Sequence, residues 1–233
     1  MPYLRWLVLS TLIAGLSCSL YAVDGVVLID QNRALAGGVT PGDTPGFPVT
    51  LSLPGSYRLA GDLTVPDANT NGIVINADHV TIDLNGFSII GPTNCTGAPV
   101  TSCSPTGTGF GVSSSSAGFI TVKNGGVRGM GSIGLFLNES GNLVDQVIAE
   151  NNGTIGIYVN SGSVLNSVAT FNLTAGIFVV MGTVRSNTSQ YNGAFGIRVS
   201  CPSLVVNNDA TNNQTQNVSA VGTGCTVVNN AAP

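Results

Sequence analysis

Lys123 lies 40 residues after Asp83, and the two occupy the same place in related runs, Val80-Thr81-Ile82-Asp83 and Ile120-Thr121-Val122-Lys123. Arg128 follows at the place that matches Ser88, and Asp145 and Glu150 fall one repeat later. An amine flanked by carboxylates is equipped for general base catalysis. It takes a proton from a carbon beside an acid group while a nearby cation offsets the enolate. Lys123, Arg128, Asp83, Asp145 and Glu150 are therefore the candidate catalytic set. The same letters also read as solvent-facing ion pairs between neighbouring repeats, each contributing little, and the sequence favours that plainer reading.

A second chemistry is raised by Asp67-Ala68-Asn69-Thr70-Asn71-Gly72, with Asp78 at the twelfth place, which follows most of a calcium-loop pattern. Calcium is the one cofactor these letters bring up. The run Ile73-Val74-Ile75 speaks against it, because a core strand there competes with wrapping an ion, and turn residues between strands explain the same letters. No zinc set exists: His79 is the only histidine and no CxxC occurs. His79, next to Asp78, has no serine or cysteine nucleophile motif with it and reads as a solvated turn residue.

A third set is aromatic. Phe136, Tyr158, Phe178 and Arg198 each follow a repeating glycine by two residues. Alternation along a strand turns them outward, one per repeat, on a single face. At that pitch they are a candidate ligand-binding row for sugar rings or for a protein surface. The competing reading is mutual stacking that stabilises the repeat, about 0.5–1.5 kcal/mol per pair. Phe171 and Tyr191 make a second, shorter pair of the same kind.

The elements that position these residues come from internal repetition. The glycines of Ile155-Gly156-Ile157-Tyr158-Val159, Ala175-Gly176-Ile177-Phe178-Val179 and Phe195-Gly196-Ile197-Arg198-Val199 recur every 20 residues, and Ile133-Gly134-Leu135-Phe136-Leu137 stands 22 upstream. A second motif interleaves: Val164-Leu165-Asn166, Val184-Arg185-Ser186-Asn187, Leu204-Val205-Val206-Asn207-Asn208 and Thr226-Val227-Val228-Asn229-Asn230. Each repeat thus holds two or three strands of three to five residues between Gly or Asn turns. Strands this short cannot make hairpins at this spacing. They can stack as coils about 4.8 Å apart. The sequence predicts an all-β, single-stranded parallel β-helix of about eight coils over 49–233, with a loop at 92–108 and a length on the order of 40 Å. Leu135, Ile157, Ile177, Ile197 and Leu137, Val159, Val179, Val199 are the expected inward columns. Asn151, Asn172, Asn192 and Asn212 are expected to form an asparagine column at a turn, where left-handed backbone is tolerated and amides hydrogen-bond from coil to coil.

Residues 23–48 read as an N-terminal cap segment. Within it Asp30–Ala36, with an acidic N-cap and Leu35, predicts a short helix closing that end of the core. The last coil has no comparable cap, and a partner copy or chain from the long loop is expected to cover it, which makes self-association there a candidate.

Composition agrees. Charged residues are 8% of the 233, where ordinary domains carry roughly 25%, while hydrophobic residues are 43% and glycine numbers 31. That excludes a disordered charged chain, and the scattered poor helix formers exclude a helix bundle. Seven Lys+Arg against eleven Asp+Glu, net −4, exclude a nucleic-acid binder.

The first 22 residues, with Arg5, the apolar Leu7–Leu16 stretch and Ala22, have the layout of a secretory signal peptide and are too short to span a membrane. The mature chain is expected to be secreted, periplasmic or at a cell surface. It retains Cys95, Cys103, Cys201 and Cys225, an even number that reads as disulfides. The favoured pairing is Cys95–Cys103, closing a loop, and Cys201–Cys225, bridging one repeat to the next.

The run Pro54-Gly55-Ser56-Tyr57-Arg58-Leu59, then Gly61-Asp62-Leu63-Thr64-Val65, Gly72-Ile73-Val74-Ile75 and Val80-Thr81-Ile82-Asp83-Leu84-Asn85-Gly86-Phe87 resembles the opening of secreted bacterial right-handed β-helix repeat proteins. These are similar to the pectin-lyase-like superfamily. The resemblance implies a right-handed coil over nearly all of the mature chain. It leaves the activity open, since that fold hosts lyases, hydrolases, epimerases and adhesins. The Gly-His-Gly and Arg-Ile-Lys tripeptides of the polygalacturonase-like hydrolases are missing here. Three functions remain: a non-enzymatic exported protein contacting a polysaccharide or protein along its aromatic row, a small polysaccharide lyase or epimerase using Lys123 or Arg128 on a uronate, or a structural module of an end-to-end assembly.

Overall fold

The computed structural model describes residues 25–232, so the expected leader 1–22 lies outside them. The chain winds into a parallel β-solenoid of about eight turns with three faces. The first face stacks Val49–Leu51, Ile73–Ile75, Val112–Ser114, Leu135–Leu137, residues 155–159 and 175–179, Phe195–Ser200 and Gln216–Val221. The second runs from Val26–Ile29 through Gly55–Leu59 and Val80–Asp83 to Thr226–Val228. The third runs from Leu63–Thr64 through Ser88–Ile90 to Asp209–Thr211. Several strands bend round a corner instead of stopping there, so Ile155–Leu165 and Ala175–Arg185 each serve two faces and reach 11 residues.

The expected inward columns line the core: Leu135, Ile157, Ile177, Ile197 and Leu137, Val159, Val179, Val199 are all fully buried. Burial of such aliphatic columns is the main stabilising term, about 25 cal/mol per Å² of apolar surface. The asparagine column comes out differently. It divides between two neighbouring positions. Asn151 and Asn212 hold the left-handed backbone of a turn, at φ 56° and 57°, in line with Phe171 and Tyr191. Asn152, Asn172, Asn192 and Asn213, one residue along or aligned with it, point inward and hydrogen-bond amide to amide. The doubled asparagines at 151–152 and 212–213 hide this one-residue offset. A second inward ladder joins Asn187, Asn208 and Asn230.

Two successive positions at one corner, between Asn142 and Ser203 in register, admit glycine alone. Gly162 and Gly182 stack at φ 156° and 152°, and a Cβ on Gly182 would sit 1.7 Å from the Gly162 carbonyl oxygen.

The N-terminal segment adds a strand and a plug. Val26–Ile29 pairs in parallel with Gly55–Leu59, so the coiling begins ahead of residue 49. The helix Gln31–Ala36 forms with Asp30 as N-cap, its side chain accepting from the Arg33 N–H at 2.8 Å. Ala34 enters the core, whereas Leu35 is 54% exposed, because the single-turn helix can bury only one side. Asp43 fastens the next loop by accepting from the Val39 and Thr50 backbone N–H groups at 2.9 and 2.7 Å.

The stretch 92–108 is a hairpin, with Asn94–Gly97 antiparallel to Val100–Ser104 and the Cys95–Cys103 disulfide across it. It lies along the side of the solenoid. Gly107 N–H donates to Gly131 O, Val100 N–H donates to Tyr191 O, and both Cys sulfurs lie within 3.9 Å of the Asn152 carbonyl oxygen. It stops short of the last coil, so the expectation that the long loop covers that end is corrected. Cys201–Cys225 joins the last two coils. Inward-type residues there stay open, with Val227 43% exposed. Among the described residues, no helix is long and apolar enough to cross a membrane.

Candidate functional site

Register decides which candidate residues meet. On the second face, Arg58, Asp83, Lys123 and Asp145 share one outward column in consecutive coils, alternating in sign. Arg58 Nε lies 3.6 Å from Asp83 Oδ2. Asp83 also accepts from Asn85 N–H and Asn124 Nδ2, and Asp145 accepts from Asn166 Nδ2 at 2.9 Å. Both carboxylates flanking Lys123 thus take hydrogen bonds from neighbouring turns.

Arg128 and Glu150 are placed elsewhere. They pair in register across the third face, 4.0 Å apart and both substantially exposed, so the five-residue set divides between two faces around a corner. The expected match of Arg128 with Ser88 is off by two: Ser88 aligns with Gly126, and Arg128 with Ile90. The cause is a turn two residues longer after Asp83, which drops Leu84 into the core against Gly125. Glycines 86, 125 and 126 leave a shallow groove beside Arg128, Ile148 and Glu150.

The calcium-like residues serve turns. Asp67 Oδ1 accepts from Asn69 N–H and Thr70 Oγ1–H, Asn69 and Asn71 accept from Thr108 and Phe110 N–H, and Asp78 accepts from Gly118 N–H. Strand Ile73–Ile75 separates Asp78 from the rest. The described residues hold no group of three or more His, Cys, Asp or Glu side chains disposed for a metal. His79 has more than solvent beside it: its ring stacks on Phe119 at 4.9 Å.

The aromatic row is a true column. Phe136, Tyr158, Phe178 and Arg198 are paired coil to coil on the first face. Phe136 stacks on Tyr158 at 5.0 Å and 20°, while Tyr158 and Phe178 meet edge to face at 5.5 Å and 88°. Two residues join the row that sequence spacing missed. Phe110 stacks on Phe136 at 5.1 Å and 17°; it precedes a strand by two residues and follows the hairpin, so the 20-residue period does not reach it. Phe195 lies beside Arg198, whose guanidinium carbon is 5.0 Å from its ring and 5.3 Å from Phe178. All six side chains are half-buried. The stacked faces of Phe110, Phe136 and Tyr158 cover one another, so this part of the row presents ring edges to a partner, which carry the positive end of the quadrupole.

Compared with models of known families, with curated proteins and with solved structures, the chain matches none. The fold defines its class: a parallel β-solenoid. Two disulfides suit it to an oxidising compartment.

Proposed function

We propose that this protein is an exported, non-catalytic β-solenoid of the pectin-lyase-like kind, bacterial in origin, that holds a polysaccharide along its first face. The observation that carries this reading is the continuous row Phe110, Phe136, Tyr158, Phe178, Arg198, one residue per coil. A linear sugar polymer lying along the axis meets one side chain per coil. Ring edges attract acceptor oxygens, and the Tyr158 hydroxyl, which has no hydrogen-bond partner among the described residues, adds a donor and an acceptor. The test is a glycan array with the parent chain and a Tyr158→Ala/Phe178→Ala double variant of confirmed fold. Binding by the parent and its loss in the variant support the reading. Silence from the parent sinks it and turns attention to a protein partner.

A second reading rests on the last coil, where the aliphatic Val218, Ala220 and Val227 lie open beside the polar Asn213, Thr215 and Gln216. There we propose stacking of a second copy. Light scattering that grows with protein concentration supports this, and a strict monomer at high concentration removes it.

A further inference from the structure

Arg198 is the one charged side chain among residues 49–51, 73–75, 112–114, 135–137, 155–159, 175–179, 195–200 and 216–221, which together make the first face. Its guanidinium carbon lies over the rings of both Phe178 and Phe195, 5.3 and 5.0 Å from their centroids. The ion pairs among the described residues are Arg58–Asp83 and Arg128–Glu150, so no carboxylate lies within pairing distance of Arg198. Nor does its side chain hydrogen-bond to the protein among the described residues.

This sets it apart from the other lysine and arginine side chains among the described residues. Arg33 donates to the Gly38 carbonyl, Arg58 and Arg128 have carboxylates, Lys123 sits in register between Asp83 and Asp145, and Arg185 is exposed with no ring against it. Two aromatic rings hold the Arg198 head by cation–π contact while leaving its N–H donors unmatched. A guanidinium held in this way, with its N–H donors free, is pre-organised for bidentate contact with an oxyanion. Its position at one end of the aromatic row gives the ligand a polarity: an uncharged body over the rings, and an acid group at Arg198.

We infer that the polysaccharide bound on the first face carries isolated acid groups, carboxylate or sulfate, one of which pairs with Arg198. The inference rests on the binding reading above and narrows it. A densely charged polyanion does not suit this face: its eight strand segments offer one cation, on a chain of net charge −4. One acid group among several neutral sugars does.

The test is an array carrying neutral oligosaccharides beside the same backbones with one carboxylate, one sulfate ester, or an acid group on every unit. It is run with the parent, Arg198→Gln and Arg198→Lys. Singly acidic oligosaccharides should bind the parent best, with the fully acidic ones no tighter. Arg198→Gln should weaken the acidic ligands roughly ten- to a hundredfold, the range for loss of a charged hydrogen bond, and weaken the neutral backbones far less. Arg198→Lys, which keeps the charge and loses the fork and the stacking, should fall between. Raised salt should narrow the gap between acidic and neutral ligands. Equal binding of neutral and acidic ligands, or unchanged acidic binding in Arg198→Gln, overturns the inference while the face remains a glycan site. No glycan bound by the parent overturns both.

Discussion

Asn152 donates from Nδ2 to Oδ1 of Asn172 at 2.9 Å, and the backbone N–H of Asn152 donates to the same oxygen at 3.1 Å. Asn172 repeats both bonds to Asn192, at 3.1 and 3.0 Å, and its Nδ2 also reaches the Ala149 carbonyl. Each inward asparagine therefore satisfies a corner of backbone that the turn leaves unpaired, inside a core where an orphaned polar group costs about 1–3 kcal/mol. Asn172→Ala orphans donors on Asn152 at a fully buried site and should cost about 3 kcal/mol or more in chemical denaturation. Asn151→Ala, at the left-handed turn position one residue before the ladder, should cost only about 1 kcal/mol, and Asn151→Gly close to nothing. Equal costs at 151 and 172 would refute the division of the asparagines into two columns.

The last coil depends on Cys201–Cys225, which spans 24 residues of sequence. Its strand Thr226–Val228 is exposed throughout, so little packing holds it otherwise. A double Cys201→Ser/Cys225→Ser variant should lose about 3.5 kcal/mol, the loop-closure value for a ring of this size. Amide exchange should speed up first in residues 216–230, ahead of the coils before them. Uniform acceleration across the whole solenoid would show that the coils open as one unit.

The parts of the fold legible in the sequence were those repeated at constant spacing. Ile157, Ile177 and Ile197 recur at 20, and their alternation with Tyr158, Phe178 and Arg198 determined both faces of the strands. Legibility failed where the period broke. Two extra residues after Asp83 shifted Arg128 against Ser88, and the hairpin at 94–104 hid Phe110 from the row it starts. The hairpin itself, rich in Thr, Ser and Gly with Val100 as its one buried apolar residue, lacks the alternation that marks a strand. Doubled asparagines blurred the register by one residue. The contact of Phe195 with Arg198 could not be read either, because Phe195 stands three residues before it, a spacing that sets no contact along an extended strand.

Tyr57 gives a pH signature. It is buried, its hydroxyl donates to the Leu53 carbonyl at 2.7 Å, and burial raises its pKa above the ordinary value near 10. Above pH 10 the unfolded tyrosine ionises while the folded one keeps its proton, so the unfolded state binds fewer protons and stability falls as pH rises. Tyr57→Phe should be about 1 kcal/mol less stable than the parent at pH 7, through loss of the hydrogen bond. That deficit should shrink as denaturation is repeated towards pH 11. A deficit that stays constant or grows would contradict the buried, protonated hydroxyl.

The ring pairs at the corners test how a solenoid tolerates large side chains on left-handed backbone. Of the non-glycine residues at positive φ, the four with rings are His79, Phe119, Phe171 and Tyr191, and they form two stacked pairs, at 4.9 and 5.2 Å. A left-handed backbone costs an ordinary residue roughly 1–2 kcal/mol. A stacked pair returns about 0.5–1.5 kcal/mol, so the rings offset the strain they create. Asparagine, as at Asn151 and Asn212 in the same column, takes the conformation with less strain and needs no partner. Tyr191→Asn should thus stay within about 1 kcal/mol of the parent, losing the stack and relieving the backbone. Tyr191→Ala loses the stack and keeps the strain, and should fall about 1 kcal/mol below the parent. In Phe171→Asn/Tyr191→Asn both corners match Asn151 and Asn212, and stability should equal or exceed the parent's in thermal unfolding. If Tyr191→Asn and Tyr191→Ala prove equally damaging, stacking alone holds the corner and the left-handed backbone carries no cost there.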